Sequence, residues 1–394
     1  EIWLNSSYRH SDLADLKPGT LGYFIYLHEI GHALGLKHPH EPTIWNDVAL
    51  EASTLSLFDS VMSYFVTGQL SILDSGLQRF PTTPMSADIE ALQYLYPGKV
   101  SANPADDLYI FSTKGEYLQT IFDTGGLDTL LVEGDNPVVI DLRPGQWSEI
   151  GEPIKLSTGQ QFSETVQIQA DSWLENLIGG AGADHLIGND LDNKITGGMG
   201  NDVLDGQAGI DTAIFSESAK DFTLQIASDE RLLVSALTRD EQDELLMIER
   251  LQFSDYSLAL DIFGHAGEVE SVLRTIYADL SIDRSVYNGV GLALLDSGMS
   301  VSKLVEVAIN DRLMAGDSRE DLISVVIDQL METASIDEQQ TISQGLAGMD
   351  NTQLSELIAV GIKAAQQSGN LDTINVLSGG LAFSSESYAD FLFG

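Results

Sequence analysis

Four nine-residue units run head to tail without a gap: GGAGADHLI (179–187), GNDLDNKIT (188–196), GGMGNDVLD (197–205) and GQAGIDTAI (206–214). No other stretch restricts the fold as sharply. Each unit reads G-G-x-G-x-D-x-U-x, with U large and apolar. Six residues form a turn, where glycines tolerate positive φ and expose carbonyl oxygens, and three form a short strand whose U side chain points inward. Two units make one coil, so Asp184 and Asp202 stack along one edge and Asn193 and Asp211 along the other. Leu186 and Leu204 fill the core from one sheet, Ile195 and Ala213 from the other. With turn carbonyls at Gly179, Ala181, Gly188, Gly197, Met199 and Gly206, these edges form all-oxygen cages suited to several structural Ca²⁺ ions. The second unit is degenerate: Asn189 replaces a glycine and Asn193 the carboxylate, so its edge is expected to bind more weakly. Gly/Asp-rich sequence is more often a flexible linker, but a strict phase with apolar positions in register argues for packed structure.

Charge points the same way. The 394 residues hold 60 Asp+Glu against 19 Lys+Arg, a net charge of −41. Such a surface repels phosphate backbones and anionic lipid, which speaks against nucleic-acid or membrane-surface binding, and it attracts cations. Hydrophobic residues make up 43%, enough for packed cores. The absence of cysteine excludes disulfides, thiol catalysis, Cys-ligated zinc and iron–sulfur clusters. No apolar run approaches a membrane span.

Along the chain three territories follow one another. All ten prolines lie at or before Pro153, and Pro97-Gly98 punctuates a helical stretch. Short strands with Gly/Asp/Asn turns are expected from Lys99 to Ile262. From Ala266 the period turns helical: Val269, Val272, Leu273, Ile276, Tyr277 and Leu280 form one apolar stripe. Ser271-Val272 recurs as Ser324-Val325, Ser281-Ile282-Asp283 as Ser335-Ile336-Asp337, and Leu304 with Ile309 as Leu357 with Ile362. These offsets suggest tandem helical units; chance similarity between Leu/Ile/Val-rich helices is the alternative.

The chemistry concentrates in His28-Glu29-Ile30-Gly31-His32-Ala33-Leu34-Gly35-Leu36-Lys37-His38. An apolar run from Tyr23 to Leu27 leads into a helix, and His28 and His32, at i and i+4, project from one face toward a shared metal. Glu29 can reach a water at that metal as general base. Gly35, free to adopt positive φ, ends the helix and turns the chain back so that His38 closes the site. Three imidazoles select a borderline ion such as one Zn²⁺ and leave a position open.

This elongated motif resembles the metzincin zinc peptidases, and His38-Pro39 resembles their serralysin branch. Ser60-Val61-Met62-Ser63-Tyr64 is similar to that branch's Met-turn. The resemblance implies that Met62 is a floor residue and Tyr64 a displaceable zinc ligand that can assist the oxyanion. Pro84 to Pro97 resembles the last helix of the catalytic domain, with Asp88 and Glu90 read as cap and surface charges. Only 27 residues precede His28, whereas the family places most of its sheet there. Glu1-Ile2-Trp3-Leu4 is expected to be the last strand of that sheet, and the chain to be the C-terminal part of a larger protease. Alone it is expected to bind zinc weakly and cleave poorly.

The nonapeptides resemble repeats-in-toxin (RTX) units. Asp123-Thr124-Gly125-Gly126-Leu127-Asp128-Thr129 is similar to an upstream calcium loop, with Asp123 and Asp128 as candidate ligands. Ile248 to Asp255 is similar to the sequence that closes such rolls. The implied architecture is multidomain α+β. It comprises part of a metzincin catalytic domain (1–97), a calcium-binding parallel β-roll (98–265) and a helical repeat-like domain (266–394). The implied function is a secreted, extracellular zinc endopeptidase acting on protein and peptide substrates. It would be exported unfolded by ABC-transporter type I secretion machinery, with Tyr388-Ala389-Asp390-Phe391-Leu392-Phe393-Gly394 as the C-terminal signal. A non-enzymatic exported calcium-binding adhesin or matrix protein with a decayed peptidase domain is the alternative. A lyase, lipase or epimerase could also carry such a roll, but there is no Gly-x-Ser-x-Gly elbow.

Overall fold

The computed structural model describes residues 15–43, 47–51, 53–98, 105–227, 231–239, 241–261, 263–278, 280–331, 335–368 and 381–383. The expected strand at 1–4 and the tail Tyr388–Gly394 lie outside these residues. The chain is a mixed α+β protein that divides into two compact units. One comprises Glu1–Ile214 and Asp221–Ile248, the other Phe215–Lys220 and Glu249–Gly394.

In the first unit, helix α1 (Leu21–Ala33) begins where the Thr20 hydroxyl accepts from Tyr23 N. It is followed by a single turn, α2 (Ile72–Ser75), and by α3 (Ser86–Leu95). Phe24 of α1 stacks on Phe80 with ring centroids 5.4 Å apart. Both belong to a core with Leu57, Val61, Met62, Met85, Leu118, Ile154 and Leu156. Residues before and after Pro97-Gly98 therefore share one hydrophobic interior, stitched by Thr82 N donating to Leu118 O (3.0 Å) and Thr120 N to Thr83 Oγ1 (2.9 Å).

The rest of this unit is a coil of parallel strands. Leu108–Ser112, Thr129–Glu133, Asn176–Ile178, Lys194–Thr196 and Thr212–Ile214 pair in that order. Opposite, Val139–Asp141, His185–Ile187, Val203–Asp205 and Gln242–Leu246 do the same. Leu232–Ala236 and Phe222–Ile226 extend this second ladder antiparallel. Register puts Leu130, Leu177, Ile195 and Ala213 in one buried row and Ile140, Leu186, Leu204 and Leu245 in another. One apolar residue per three-residue strand suffices, because each coil buries it against the next.

The second unit opens with the antiparallel strands Arg250–Gln252 and Ser257–Ala259, the latter also pairing with Leu381–Phe383. Six helices follow: α4 (His265–Ile276), α5 (Arg284–Asp296), α6 (Val301–Ala315), α7 (Arg319–Leu330), α8 (Ile336–Ala347) and α9 (Asn351–Ser368). Asp283, Ser300, Ser318 and Ser335 cap the N-termini of α5 to α8, each side chain accepting a backbone N–H. The two Ser-Ile-Asp tripeptides stand at the starts of α5 and α8. The apolar stripe of α4 meets Val290, Leu294, Leu304, Ile309, Ile323 and Ile358 in one core. Buried Arg250 ties the first strand to Asp261 and to Asp296 at the end of α5. Among the described residues no helix is long and apolar enough to cross a membrane.

Candidate metal centre

Helix α1 fixes two of the three imidazoles and its C-terminal reversal delivers the third. Gly35 takes φ +100°. Gly35 N donates to His32 O and Leu36 N to Gly31 O, both at 3.0 Å, a pattern that ends the helix and folds the chain back. His38 Nε2 then stands 3.1 Å from His28 Nε2 and 2.9 Å from His32 Nε2. These separations are close to the ~3.3 Å between ligands of a tetrahedral ion with bonds of about 2.0–2.1 Å.

The outer nitrogens decide what those inner atoms are. His28 Nδ1 faces Val61 O (2.8 Å), His32 Nδ1 faces Leu36 O (2.9 Å) and His38 Nδ1 faces a Glu41 carboxylate oxygen (2.8 Å). Each partner is a pure acceptor, so each Nδ1 carries the proton and each Nε2 presents a lone pair. Three lone pairs aimed at one another repel unless a cation lies between them, and this donor set fits Zn²⁺. Burial, working against the Val61 hydrogen bond, holds His28 below the usual histidine range and keeps it neutral, as a ligand must be. Tyr64 OH donates to His38 Nε2 at 2.7 Å. Burial, then the charges of Glu41 and Glu29, push that phenol upward, so it stays a proton donor at neutral pH. Glu29, next to His28 on α1, is half-buried.

Met62 is buried against α1. Its sulfur stands 2.6 Å from where a Cβ on Gly31 would lie, so only glycine lets the helix rest on this turn. The turn is held by Asp88, read from sequence as a helix cap. It does accept from Met85 N (2.9 Å), but it is also 2% exposed and takes the Ser60 hydroxyl (2.7 Å) and Val61 N (2.7 Å). Asp88 thus holds the residue whose carbonyl faces His28, while Glu90 is exposed. Replacing Asp88 by Ala strands three donors and is expected to cost about 2–4 kcal/mol of stability. Denaturant unfolding checks this; an unchanged midpoint contradicts it.

The nonapeptide edges repeat one arrangement. Asp184 N donates to Asp202 Oδ1 (2.8 Å) and Asn193 N to Asp211 Oδ1 (2.7 Å), so each carboxylate pins the coil before it. The second oxygen faces glycine. A Cβ would lie 2.4 Å from Asp202 Oδ2 at Gly197, and 2.8 Å from Asp184 Oδ2 and 2.4 Å from Gly197 O at Gly179. Gly188 and Gly206 stand likewise beside Asn193 and Asp211. Asp202 Oδ2 is buried without a hydrogen-bond partner, as is Asp128 Oδ2, a costly state that a bound cation would relieve. Ala181 and Met199 sit in the turns, their amides donating to Gly134 O and Gly180 O. Asn193 differs: its amide donates to Glu175 O (3.2 Å) and its Oδ1 accepts from Asn189 N (2.6 Å).

Sequence reading missed two members. Asp243 accepts from Asp202 N (2.9 Å) and continues the Asp184–Asp202 ladder, but it follows an insertion that breaks the nine-residue phase. Asp107 gathers with Asp123 and Asp128, one carboxylate oxygen of each lying within 4.8 Å of the others, although the first two stand 16 positions apart in sequence. Burial, then the Asp123, Glu175 and Asp107 charges, push Asp128 up to about 6.

Burial above all, with added repulsion from Asp243 and Asp184, pushes Asp202 up to about 7. Its unfolded value is about 3.9, so between these limits the calcium-free folded state binds the extra proton. The stability this gives is complete below about pH 4 and lost as pH rises through about 7. In calcium-free buffer the β-sheet circular dichroism is expected to strengthen from pH 8 to pH 5; the opposite slope contradicts the assignment.

Residues 178–213 match the RTX calcium-binding nonapeptide repeat in four copies. The chain is 31% identical over 212 residues to serralysin of Proteus mirabilis, covering 50% of this chain and 41% of that protein. It is 32% identical over 222 residues to metalloprotease AprA of Pseudomonas entomophila (50% and 42%), and 33% over 204 residues to serralysin C of Dickeya chrysanthemi (47% and 40%). The chain spans about two fifths of the length of the curated relatives it matches. Over about half its length the chain is thus similar to serralysin-type metalloproteases, and it carries an RTX repeat block.

Proposed function

We propose that the chain carries the zinc-holding half of a metzincin peptidase centre (1–97), a calcium-binding parallel β-roll (98–265) and a helical repeat-like region with a C-terminal secretion signal (266–394). We further propose that the protein is a secreted endopeptidase that cleaves extracellular proteins. The observation that carries this reading is the convergence of three Nε2 lone pairs beside Glu29 and Tyr64. Zinc, when bound by His28, His32 and His38, supplies a Lewis acid that polarises a peptide carbonyl and acidifies a water. Glu29 takes the proton from the attacking water and returns it to the departing amine. Tyr64, held protonated, donates to the negative charge that develops on the carbonyl oxygen.

Export follows from the acidic edges. Where calcium is scarce the stacked carboxylates oppose folding, and at extracellular calcium the ions supply folding energy at Asp123, Asp128, Asp184, Asn193, Asp202 and Asp211. That is the logic of type I secretion of an unfolded chain. Casein hydrolysis by the native gene product tests the reading. Activity should vanish in 1,10-phenanthroline and return with zinc, whereas an adhesin or matrix protein would release no peptides in either state.

A further inference from the structure

The three rings are not held equally. His28 and His32 stand on α1, and both give their outer proton to main-chain carbonyls that no side-chain substitution can remove. His38 lies beyond the helix on irregular chain, where backbone geometry alone does not set the ring's orientation. Its Nδ1 instead meets Glu41, three residues on, at 2.8 Å, with the two side chains 18% and 58% exposed. The segment that presents Glu41 is itself clamped. The Lys37 ammonium donates to Glu41 O (3.2 Å) and to Val48 O, and Leu50 N donates to Pro39 O (2.8 Å). The two nitrogens of His40 face Leu50 O (3.2 Å) and Leu55 O (2.9 Å). The carboxylate is thus delivered to His38 by a segment whose main chain is bonded at Pro39 O and at Glu41 O.

Resting on the zinc reading above, we propose that Glu41 is the positioning residue of this centre. Its carboxylate locks the His38 ring in the Nδ1–H tautomer and makes it the strongest electron donor of the three imidazoles. A carboxylate draws the Nδ1 proton harder than a carbonyl does, which raises the basicity of Nε2 on the same ring.

Chromophoric chelator competition for zinc, with the Glu41→Ala, Glu41→Gln and Glu51→Gln variants, tests this. Glu51 is an exposed carboxylate nearby in sequence and serves as the charge control. Glu41→Ala is expected to weaken zinc binding about 10–100-fold. Glu41→Gln should weaken it less, since its amide oxygen still accepts from Nδ1, and Glu51→Gln should leave it unchanged. The visible spectrum of the Co²⁺-substituted protein should shift in Glu41→Ala alone, and metal-free melting temperatures should coincide, because an exposed carboxylate bonded to a surface ring adds little to folding. Equal affinity in wild type and Glu41→Ala overturns the proposal while leaving the zinc site standing. Equal weakening by Glu41→Ala and Glu51→Gln also overturns it, in favour of diffuse charge. If the wild-type protein binds no zinc, the reading beneath it falls instead.

Discussion

Chelation of calcium with EGTA at neutral pH will collapse the β-sheet circular dichroism of the nonapeptide region, and millimolar calcium will restore it. The strands are three residues long and bury one apolar side chain each, so the coil has little hydrophobic reserve. Against that stand Asp184 and Asp202, stacked on successive coils of one edge at a spacing of about 4.8 Å, and Asp211 on the other edge, none of the three more than 2% exposed. Taking an unpaired carboxylate out of water costs several kcal/mol. A cation that binds only the folded state contributes about 2.7 kcal/mol per site at a hundred times its dissociation constant. A few filled sites therefore switch the region from unfolded to folded. An unchanged signal in EGTA would show that the stacked acids are tolerated without metal.

Glu29→Gln will lower kcat/KM for peptide hydrolysis by the native gene product about 10²–10⁴-fold, with zinc content unchanged. The amide keeps the shape and hydrogen-bonding reach of the carboxylate but cannot take a proton. None of the ring contacts depends on Glu29: His28 is held by Val61 O, His32 by Leu36 O and His38 by Glu41. Metal mass spectrometry alongside a fluorogenic peptide assay separates the two effects. Undiminished turnover with zinc bound would remove Glu29 from the chemistry.

The proximity of His28, His32 and His38 is legible in the chain because it depends on local rules: a helical repeat of 3.6 residues and a glycine reversal. The strands of 179–214 are legible for the same reason, since the nine-residue phase is itself the register. Glu41 is not legible, and of Asp88 only the cap is, not its hold on Ser60 and Val61. Each is an ordinary acid in sequence, and its role comes from a loop clamped by Lys37 and His40 or from burial beneath the turn at Ser60–Met62. Asp107 and Asp243 escape because their partners are distant in sequence or lie across a phase break. Packing is the least legible. Pro97-Gly98 follows the end of α3, but Leu118, Ile154 and Leu156 beyond it complete the core that Phe24 and Phe80 begin.

Extended X-ray absorption at the zinc edge, with metal content per chain, addresses the shared ion directly. One zinc per chain with three imidazole nitrogens at about 2.0–2.1 Å is expected, reduced to two in His38→Ala. A zinc shell of oxygen ligands alone, or an unaltered shell in His38→Ala, would contradict it.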